Sequence, residues 1–408
     1  MDFFNIVTVE EARSIIMENF NNYKFDVEFI DLLHSTDRIL SSDVYSSIDV
    51  PEFNRSTVDG YGIIVEDSHG ATESIPSILN VLGEVKMGES TQLEIKSGEA
   101  VYIPTGAMLP KGTTGVIMIE NTELMDSDTL LIYKPISKGE NIIFKGDDTK
   151  RGDIALKKGR STTPEVVGVL ASLGKSKVEV YKKPRFYIIS TGDEVIDLDA
   201  ELTIGKVRDI NTYALYSLIN KLGCEVVGRK IVADNYELLR REVEKGTTLA
   251  DIVLLSGGSS VGTRDFTDKV ISSFDGKGVL VHGLAIKPGK PTIIGEGNGK
   301  LIIGLPGHPV SSIVVFKAIV ENYINEKLGN DIIPSQVRAI MDYNFPSSPG
   351  KETYHMVTLR TEGERYYASP TFGKSGMITL LSKSQGYIVI KDYEEGINNG
   401  EERTVYLL

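Results

Sequence analysis

Residues 185–195 read RFYIISTGDEV, and residues 251–265 read DIVLLSGGSSVGTRD. Each begins as an apolar run of strand length and ends in a polar loop that contains glycine. Apolar residues at helical spacing follow in residues 211–223, 235–246 and 265–274. Strands that alternate with helices predict right-handed crossovers and a mostly parallel sheet. We therefore expect an α/β domain over residues 185–328, closed by a long helix over Pro309–Leu328.

The segments on either side of this domain differ from it in pattern. Residues 51–147 contain short β-rich runs separated by glycine turns, which predicts an inserted N-terminal β domain. Residues 329–408 are again strand-rich and predict a small C-terminal domain, β-barrel-like in form. The fold class expected for the whole chain is multidomain α/β plus β.

A helical linker unit is expected from residues 1–50 together with residues 148–184. Thr8 and Glu11 fit a capping box, and the apolar spacing over Val27–Leu40 predicts a further helix. A third helix is expected before Gly174, which suits a helix C-terminus. Because the chain enters the β domain and returns from it, the two segments are expected to pack as one unit.

Composition narrows the classes of protein. The 408 residues are 41% hydrophobic and 25% charged, as in globular proteins, and their length predicts several domains. The net charge of −13, without a long basic run, disfavours a nucleic-acid surface. The single cysteine, Cys224, excludes an internal disulfide and is expected to be a buried, inert thiol. The N-terminus lacks a signal-peptide pattern and no apolar run nears the ~20 residues of a membrane span, so a cytoplasmic protein is expected.

Polar loops follow the expected strands at one edge of the sheet, where open α/β sheets bind their ligands. The loops cover residues 190–195, 232–235, 256–265 and 304–312. In the third loop, Gly257 and Gly258 let backbone amides approach an anion, and Ser259 and Ser260 add hydroxyl donors. Asp265 suits a helix cap. A flexible turn with an N-cap is the alternative, but the position between a buried strand and a helix favours a phosphate cradle.

Cationic and amide groups suggest further anion contacts. Lys287 and Lys290 stand three apart in the proline-stiffened KPGKP loop, which suits phosphate oxygens; the alternative is a solvated basic turn. The GLPGHP segment offers backbone N–H groups at a helix start, including that of Gly307. His308 is either an anion donor or a packing residue. The glycine spacing is that of neither a dinucleotide fingerprint nor a P-loop.

Carboxylates accompany these loops. Glu194, Asp234 and Asp265 are expected at the same edge, and Mg²⁺ commonly takes one or two carboxylates together with substrate phosphates. Each acid alone would more simply be a helix cap, but together they favour metal-assisted phosphoryl chemistry. The sequence contains no His/Cys cluster for zinc and no Gly-x-Ser-x-Gly elbow. Pro51, Gly60 and Gly62 are expected to make turns in the segment Asp49–Ile63. Hydrophobic periodicity predicts no role for this segment.

The sequence resembles the molybdopterin molybdenumtransferases, the family whose fold also forms the C-terminal domain of gephyrin. PEFNRSTVDGYG (residues 51–62) is similar to the signature P-x-F-D/N-x-S-x-x-D-G-Y-A. Further matches in family order are PTGAMLPKGTTGVIMIE (104–120), GENIIFKGDD (139–148), STGDEV, SGGSSVGTRDF, KPGKP and GLPGHPVSS. Residues 329–408 match the family only by their β-rich pattern.

The resemblance implies a four-domain subunit whose α/β domain is molybdopterin-adenylyltransferase-like. It implies a homodimer with a cleft shared between that domain and the partner's β domain. The implied reaction consumes adenylylated molybdopterin and molybdate or tungstate, releases AMP and leaves the metal on the dithiolene, with Mg²⁺ assisting. A molybdopterin adenylyltransferase is an implied partner; nucleic acid and membranes are not.

The resemblance also implies roles for individual residues. The catalytic set would be Asp59, Thr105, Glu194, Asp234 and Asp265. The metal ligands would be Glu194, Asp234, Asp265 and Asp148. The cofactor-binding set would be Gly257, Gly258, Ser259, Ser260, Lys287, Lys290, Pro306, Gly307 and Pro309. Two departures stand out: His308 replaces a frequent Asn, and Ile142–Phe144 replaces an Asn-Val-Arg, which removes an arginine contact.

Two other functions are open. A molybdopterin adenylyltransferase would share the α/β fold but would not need the N-terminal β domain. A gephyrin-like binding scaffold would keep its function when the acids are neutralised. The sequence does not distinguish molybdate from tungstate.

Overall fold

A computed structural model of the chain describes residues 6–257, 266–330, 334–347 and 349–408. Helix α1 (Val9–Asn19) begins where Thr8 Oγ1 accepts a hydrogen bond from Glu11 N, and Glu11 Oε2 accepts one from Thr8 N at 2.7 Å. The expected capping box is thus confirmed. The buried face of α1, which includes Ala12 and Ile16, packs in the hydrophobic core of the α/β domain.

The expectation of a helix over Val27–Leu40 is wrong. Strand β1 (Val27–Asp31) occupies its first part, followed by a 3₁₀ turn at Leu32–His34. In VEFID the burial alternates with a period of two, which suits a strand and not a helix. Val27 and Phe29 are 46% and 70% exposed on the outer face of this strand.

The N-terminal segment expected to be β-rich contains a six-stranded sheet and, separately, the strand pair Arg55–Ser56 and Ile142–Ile143. The strands from the linker into the domain are β2 (Val44–Tyr45), β3 (Arg55–Ser56), β4 (Gly60–Ile63), β5 (Ser77–Glu84), β6 (Glu99–Ile103), β7 (Gly115–Met118), β8 (Thr122–Leu124) and β9 (Thr129–Ile132). In the described residues the order across the sheet is β7, β4, β6, β5, β9, β8. Short 3₁₀ turns at Val65–Ser68 and Ile119–Asn121 connect some of them.

Gly60 and Gly62 lie inside a strand, and the expectation of turns at these positions is wrong. β4 is bordered by β6 and β7, and a Cβ on Gly60 would stand 2.0 Å from the Ile117 carbonyl oxygen. Glycine is needed here because a neighbouring backbone approaches closely, not because the chain turns.

The chain returns beside its entry point. The elements are β10 (Ile142–Ile143), β11 (Ile154–Leu156), α2 (Pro164–Ser172) and β12 (Lys177–Tyr181). β10 pairs with β3, β11 with β2, and β12 with β1, all antiparallel. The linker unit is therefore mixed, not purely helical. Gly174 follows α2 with φ +69°, and Lys175 N donates to Leu170 O, so the expected cap is confirmed.

Gly168→Ala is expected to stabilise the protein by about 0.5–1 kcal/mol, because alanine loses less backbone entropy in a helix interior. Gly168 lies in α2, and a Cβ there would have no heavy atom within 4 Å. A higher midpoint of thermal unfolding checks the prediction. An unchanged or lower midpoint would contradict it.

The α/β domain contains the mostly parallel sheet that the sequence predicts. Its elements are β13 (Arg185–Thr191), β14 (Val195–Ile196), β15 (Val207–Arg208), α3 (Asn211–Lys221), β16 (Glu225–Val232), α4 (Tyr236–Leu249), β17 (Ile252–Ser256), α5 (Thr267–Ser272), β18 (Gly278–His282), β19 (Ile286–Lys287), β20 (Ile293–Gly297), β21 (Lys300–Leu305), α6 (Pro309–Val315) and α7 (Asn322–Leu328). A π-helical stretch, Phe316–Glu321, joins α6 to α7 and completes the expected long helix. The sheet order is β16, β13, β17, β21, β20, β18; pairs up to β21 are parallel and the rest antiparallel.

Both faces of this sheet are covered. Phe186 and Ile188 of β13 face the core shared with α1 and α7, whereas Tyr187 and Ile189 face the core under α4. Such burial on both sides explains the continuous apolar strands. Cys224 is 4% exposed, and burial raises the pKa of its thiol to about 12. The expected buried and inert thiol is confirmed.

The C-terminal domain is a small barrel. Its elements are β22 (Gln336–Met341), β23 (Phe345–Pro346), β24 (Glu352–Glu362), β25 (Arg365–Pro370), α8 (Thr379–Ser382), β26 (Gly386–Ile390), β27 (Gly396–Ile397) and β28 (Glu402–Leu407). β24, β25, β22, β28 and β26 pair in a ring, since β26 also pairs with β24. β19 adds to β24 and links the barrel to the α/β domain. Across the described ranges, no helix is both long and apolar enough to cross a membrane.

Candidate active site

The parallel strands of the α/β domain end together. In register, Thr191 of β13 stands beside Val232 of β16, and Ser256 of β17 stands beside both Ser190 and Leu305. The loops that follow these strands therefore leave the sheet at one edge. This is the edge at which open parallel sheets bind ligands.

Hydrogen bonds join the loops to one another. Gly257 N donates to Leu305 O at 3.3 Å, and Asp234 N donates to Asp193 Oδ1 at 3.2 Å. The loops after β13 and β16 are thus joined, as are those after β17 and β21. The structure brings together the loops that carry Glu194, Asp234, Gly257 and Gly307.

Asn211, at the start of α3, connects two of these loops and was missed by the sequence interpretation. Its Nδ2 donates to Ser256 Oγ at 2.7 Å and to Gly307 O at 2.8 Å. A sequence signal existed, since RDINT places Asp209 and Asn211 directly before an amphipathic helix. Asp209 Oδ1 accepts from Thr212 N at 3.0 Å and so caps this helix.

Buried polar atoms without a hydrogen-bond partner among the described residues concentrate near this edge. They include Thr191 Oγ1, Asp209 Oδ2, Asn211 Oδ1 and Ser312 Oγ. An unpaired polar atom in the protein interior is costly, so such atoms are usually satisfied by a ligand, an ion or water. The edge therefore has the polar character of a binding site.

Gly257 allows two backbones to touch. Its φ is +103°, and a Cβ would stand 2.4 Å from Thr191 O. Only glycine tolerates both the left-handed conformation and this approach. The predicted cradle residues Gly258, Ser259 and Ser260, and the predicted acid Asp265, lie outside the described residues.

The predicted carboxylates fall into two regions. Glu194 is exposed and its carboxylate folds toward Gly192, where a Cβ would stand 2.8 Å from Glu194 Oε2, while Asp234 is half-buried in the next loop. Asp148 lies in the linker unit, where its backbone N–H donates to Val50 O. Within the part of the chain that the structure describes, no group of three His, Cys, Asp or Glu side chains is placed to hold a metal. The four-residue metal set therefore stays a prediction.

The KPGKP loop holds its lysines outward. Leu284 N and Thr292 N both donate to Lys290 O, and a Cβ on Gly289 would stand 2.6 Å from Val315 Cγ2 of α6. The backbone is thereby fixed against α6, while Lys287 and Lys290 are exposed. Two ammonium groups on a rigid loop are well suited to phosphate oxygens.

The GLPGHP loop contacts the C-terminal domain at Ser375. Pro306 and Pro309 are buried, with Pro309 as the first residue of α6. His308 Nδ1 lies 2.9 Å from Ser375 Oγ, and Val310 N donates to Ser375 O at 3.1 Å. His308 thus uses one ring nitrogen in a contact between domains, a role that the sequence did not predict.

The N-terminal motif forms a separate polar group. Asp59 precedes β4 and Thr105 follows β6. Asp59 Oδ1 accepts hydrogen bonds from Thr105 N at 2.7 Å and from Thr105 Oγ1 at 3.0 Å. Arg55 is exposed and is the cross-strand partner of Ile143, in the segment that lacks the family's arginine. Within one chain, no hydrogen bond between described residues joins Asp59 to the loops of the α/β domain.

Three family models match the chain. Residues 7–174 match the MoeA N-terminal region (domain I and II), residues 187–326 match a probable molybdopterin binding domain, and residues 338–408 match the MoeA C-terminal region (domain IV). Together these matches span most of the chain.

Individual proteins are similar over nearly the whole length. A putative molybdopterin biosynthesis protein of Methanocaldococcus jannaschii is 35% identical, covering 99% of this chain and 98% of the relative. A molybdopterin molybdenumtransferase of Haemophilus influenzae is 32% identical, covering 98% of each. A solved molybdopterin biosynthesis moeA protein of Pyrococcus horikoshii OT3 superposes with a TM-score of 0.85 at 30% identity, covering 99% of this chain and 100% of that one.

Proposed function

The chain belongs to the MoeA family, and from this premise we propose that it is a molybdopterin molybdenumtransferase, which inserts molybdenum into molybdopterin. The observation that carries the proposal is the set of loops joined by Asn211 at the carboxyl edge of the sheet. These loops offer amides, hydroxyls and carboxylates, and the KPGKP loop with its two exposed lysines leads into β20, whose Ile293 is the register partner of Gly304 at the same edge. This is the chemistry needed to hold a phosphate-bearing pterin beside an oxyanion.

We infer that the substrate is adenylylated molybdopterin and that AMP is released. Lys287 and Lys290 bind the phosphate oxygens, and the proposed cradle residues that follow Gly257 along the chain act on the same charge. The loop from Pro306 to Pro309 surrounds the tetrahedral oxyanion, molybdate or tungstate. Asp59, hydrogen-bonded to Thr105, acts on the adenylyl phosphate linkage from the side of the N-terminal β domain.

Mg²⁺ fits the oxygen ligands at this edge. Glu194 and Asp234 lie in adjacent loops, and Mg²⁺ typically takes one or two carboxylates together with phosphate oxygens. These residues would hold the ion, with Asp265 and Asp148 as the further proposed ligands. When bound, it would neutralise charge on the phosphates.

A homodimer would explain why Asp59 is not joined to the loops at the carboxyl edge of the α/β sheet within one chain. Asp59 and the α/β edge make no hydrogen bond within one chain among the described residues, so a partner subunit would supply the opposite wall. Exposed apolar side chains offer a surface for dimerisation, since Phe29 and Leu33 are 70% and 86% exposed. We further propose a cytoplasmic location and supply of the substrate by a molybdopterin adenylyltransferase.

Titration of molybdate and tungstate against AMP release from adenylylated molybdopterin tests the function. AMP release that depends on the oxyanion is the expected result. Adenylylation of molybdopterin from ATP, without such release, would show an adenylyltransferase instead. A full biological function after neutralisation of Asp59 and Glu194 would indicate a scaffold.

Asn211→Asp is expected to reduce oxyanion-dependent AMP release about tenfold, since it removes two donated hydrogen bonds and sets a carboxylate against the Gly307 carbonyl. Steady-state kinetics with saturating molybdate measure the effect. Asn220→Asp, on the exposed side of the same helix, is the matched control and should retain activity. Equal activities of the two variants would contradict a role for Asn211.

A further inference from the structure

A cavity lies at the end of the α/β sheet opposite the candidate active site. It has a volume of about 470 Å³ and is lined where strands begin, by Arg185, Glu225, Asp251 and Lys300, and by residues of the linker unit. The seven residues of β13 separate it from the candidate active site by roughly 20 Å. We call this cavity the rear pocket. Its volume lies within the range of small-molecule sites.

The rear pocket is rich in cations. Six of its twelve lining residues are Lys or Arg, whereas the chain as a whole has 44 among 408 residues. Four lining residues are acidic, so the pocket carries an excess of positive charge in a protein whose net charge is −13. Local positive charge on a protein of negative net charge attracts anions to that place.

Most of the carboxylates in the pocket are already paired. Asp251 accepts from Tyr23 Oη at 2.8 Å and from Arg185 N at 2.8 Å, and Lys300 Nζ lies 3.8 Å from it. Glu28 pairs with Arg38, whose side chain is only 12% exposed. Of the other two acids, Asp26 pairs with Lys182 and Glu225 is exposed.

Three lysines at the pocket make either no ion pair with a described residue or only a solvent-exposed one. Lys24 and Lys183 are exposed and make no ion pair with a described residue. Lys182 pairs with Asp26 at 3.4 Å, but both side chains are more than half exposed, and such surface pairs contribute little. These ammonium groups can therefore turn to a ligand at small cost.

We propose that the rear pocket binds a small ligand that carries several phosphate charges, through Lys24, Lys182 and Lys183, whereas the Arg185 guanidinium is already paired with Asp251 at 3.4 Å. The three lysines come from two segments that line the pocket, one before β1 and one before β13, so an anion in the pocket can be contacted from both. The aromatic rings offer little surface to a base, because Lys300 Nζ lies 5.0 Å over the Tyr23 ring and Phe25 is only 7% exposed. Recognition therefore rests on phosphate alone.

Calorimetric titration with pyrophosphate tests the proposal in a Lys287→Gln, Lys290→Gln protein, whose candidate active site lacks its lysines. Binding is expected to persist there. Adding Lys24→Gln and Lys183→Gln should weaken it about tenfold or more, since two charge-assisted contacts are removed. The matched control adds Lys134→Gln and Lys138→Gln, an equal change of charge at exposed positions of the β domain, and should leave binding unchanged.

Three results would overturn the rear pocket as a phosphate site. They are no binding in the Lys287→Gln, Lys290→Gln protein, no effect of the Lys24 and Lys183 changes, and an equal loss in the control. ADP in place of pyrophosphate separates free phosphate from nucleotide, and the two are expected to bind within about threefold of each other. An ADP preference beyond about tenfold would refute recognition through phosphate alone.

Discussion

Asp59→Asn is expected to lower molybdate-dependent AMP release about a hundredfold while leaving the fold intact. Asparagine keeps a side-chain oxygen that accepts from Thr105 N and Thr105 Oγ1, so the local turn survives. It removes the negative charge that Asp59 presents at the wall of the proposed cleft. Single-turnover AMP release at saturating molybdate measures the loss, with circular dichroism as the check on folding.

Asp67→Asn is the matched control for this experiment. Asp67 also accepts hydrogen bonds in a turn of the β domain, from Ser97 Oγ at 2.6 Å and from Gly98 N at 2.8 Å. Its replacement should change activity less than about twofold. A similar loss in both variants would attribute the effect to the domain's structure and not to the Asp59 charge.

Mixing Asp59→Asn with Asp265→Asn subunits tests the shared cleft. If each cleft combines the β domain of one subunit with the α/β domain of the other, a mixed dimer contains one cleft with both acids intact. Partial recovery of AMP release is then expected from two inactive proteins. Mixed dimers that stay as inactive as the parents would count against the shared cleft.

Gly257→Ala is expected to abolish most activity, by about a hundredfold or more, because the loop after β17 must move. A Cβ would stand 2.4 Å from Thr191 O and would be held at φ +103°. Relief of that clash displaces the backbone N–H groups proposed to face the phosphate, and small misplacements in a catalytic site have large kinetic effects. AMP release and the midpoint of thermal unfolding measure the two consequences.

Gly299→Ala is the matched control, because it tests the effect of a left-handed backbone conformation without a close contact like that of Gly257 with Thr191 O. Gly299 also has a left-handed φ, +73°, but a Cβ there meets no heavy atom within 4 Å. This variant should lose about 1 kcal/mol of stability and keep its activity. Equal loss of activity in both variants would show that the φ value, and not the contact with Thr191, matters.

The sequence predicted the α/β sheet well because local patterns govern it. Apolar strands, amphipathic helices and capping residues such as Thr8 and Gly174 act over a few residues, so they can be recognised one at a time. The strand at Val27–Asp31 was missed because a short segment with apolar residues at two and three apart fits either period. Its pairing with Lys177–Tyr181, about 150 residues away, decided the outcome.

The candidate site was predicted in part for the same reason. The loops around Glu194, Asp234, Gly257 and Gly307 follow strands, and the parallel order of those strands puts their ends side by side. Asn211 escaped notice because its importance lies in two contacts, with Ser256 and Gly307, that are 45 and 96 residues distant. The contact of His308 with Ser375 likewise depends on how the barrel domain packs.

Sequence alone thus determined the type of the α/β domain and of the two β domains, the identity of the loops that carry polar groups and the resemblance to a family, but not the mixed character of the linker unit. Tertiary structure alone decided that Gly60 stands against a neighbouring strand, that Asn211 ties two loops and that cations from separate segments line the rear pocket. The physical reason is the distance along the sequence over which each effect acts. Backbone propensity and periodicity act between near neighbours, whereas close approach, pairing and local charge arise only when distant segments meet.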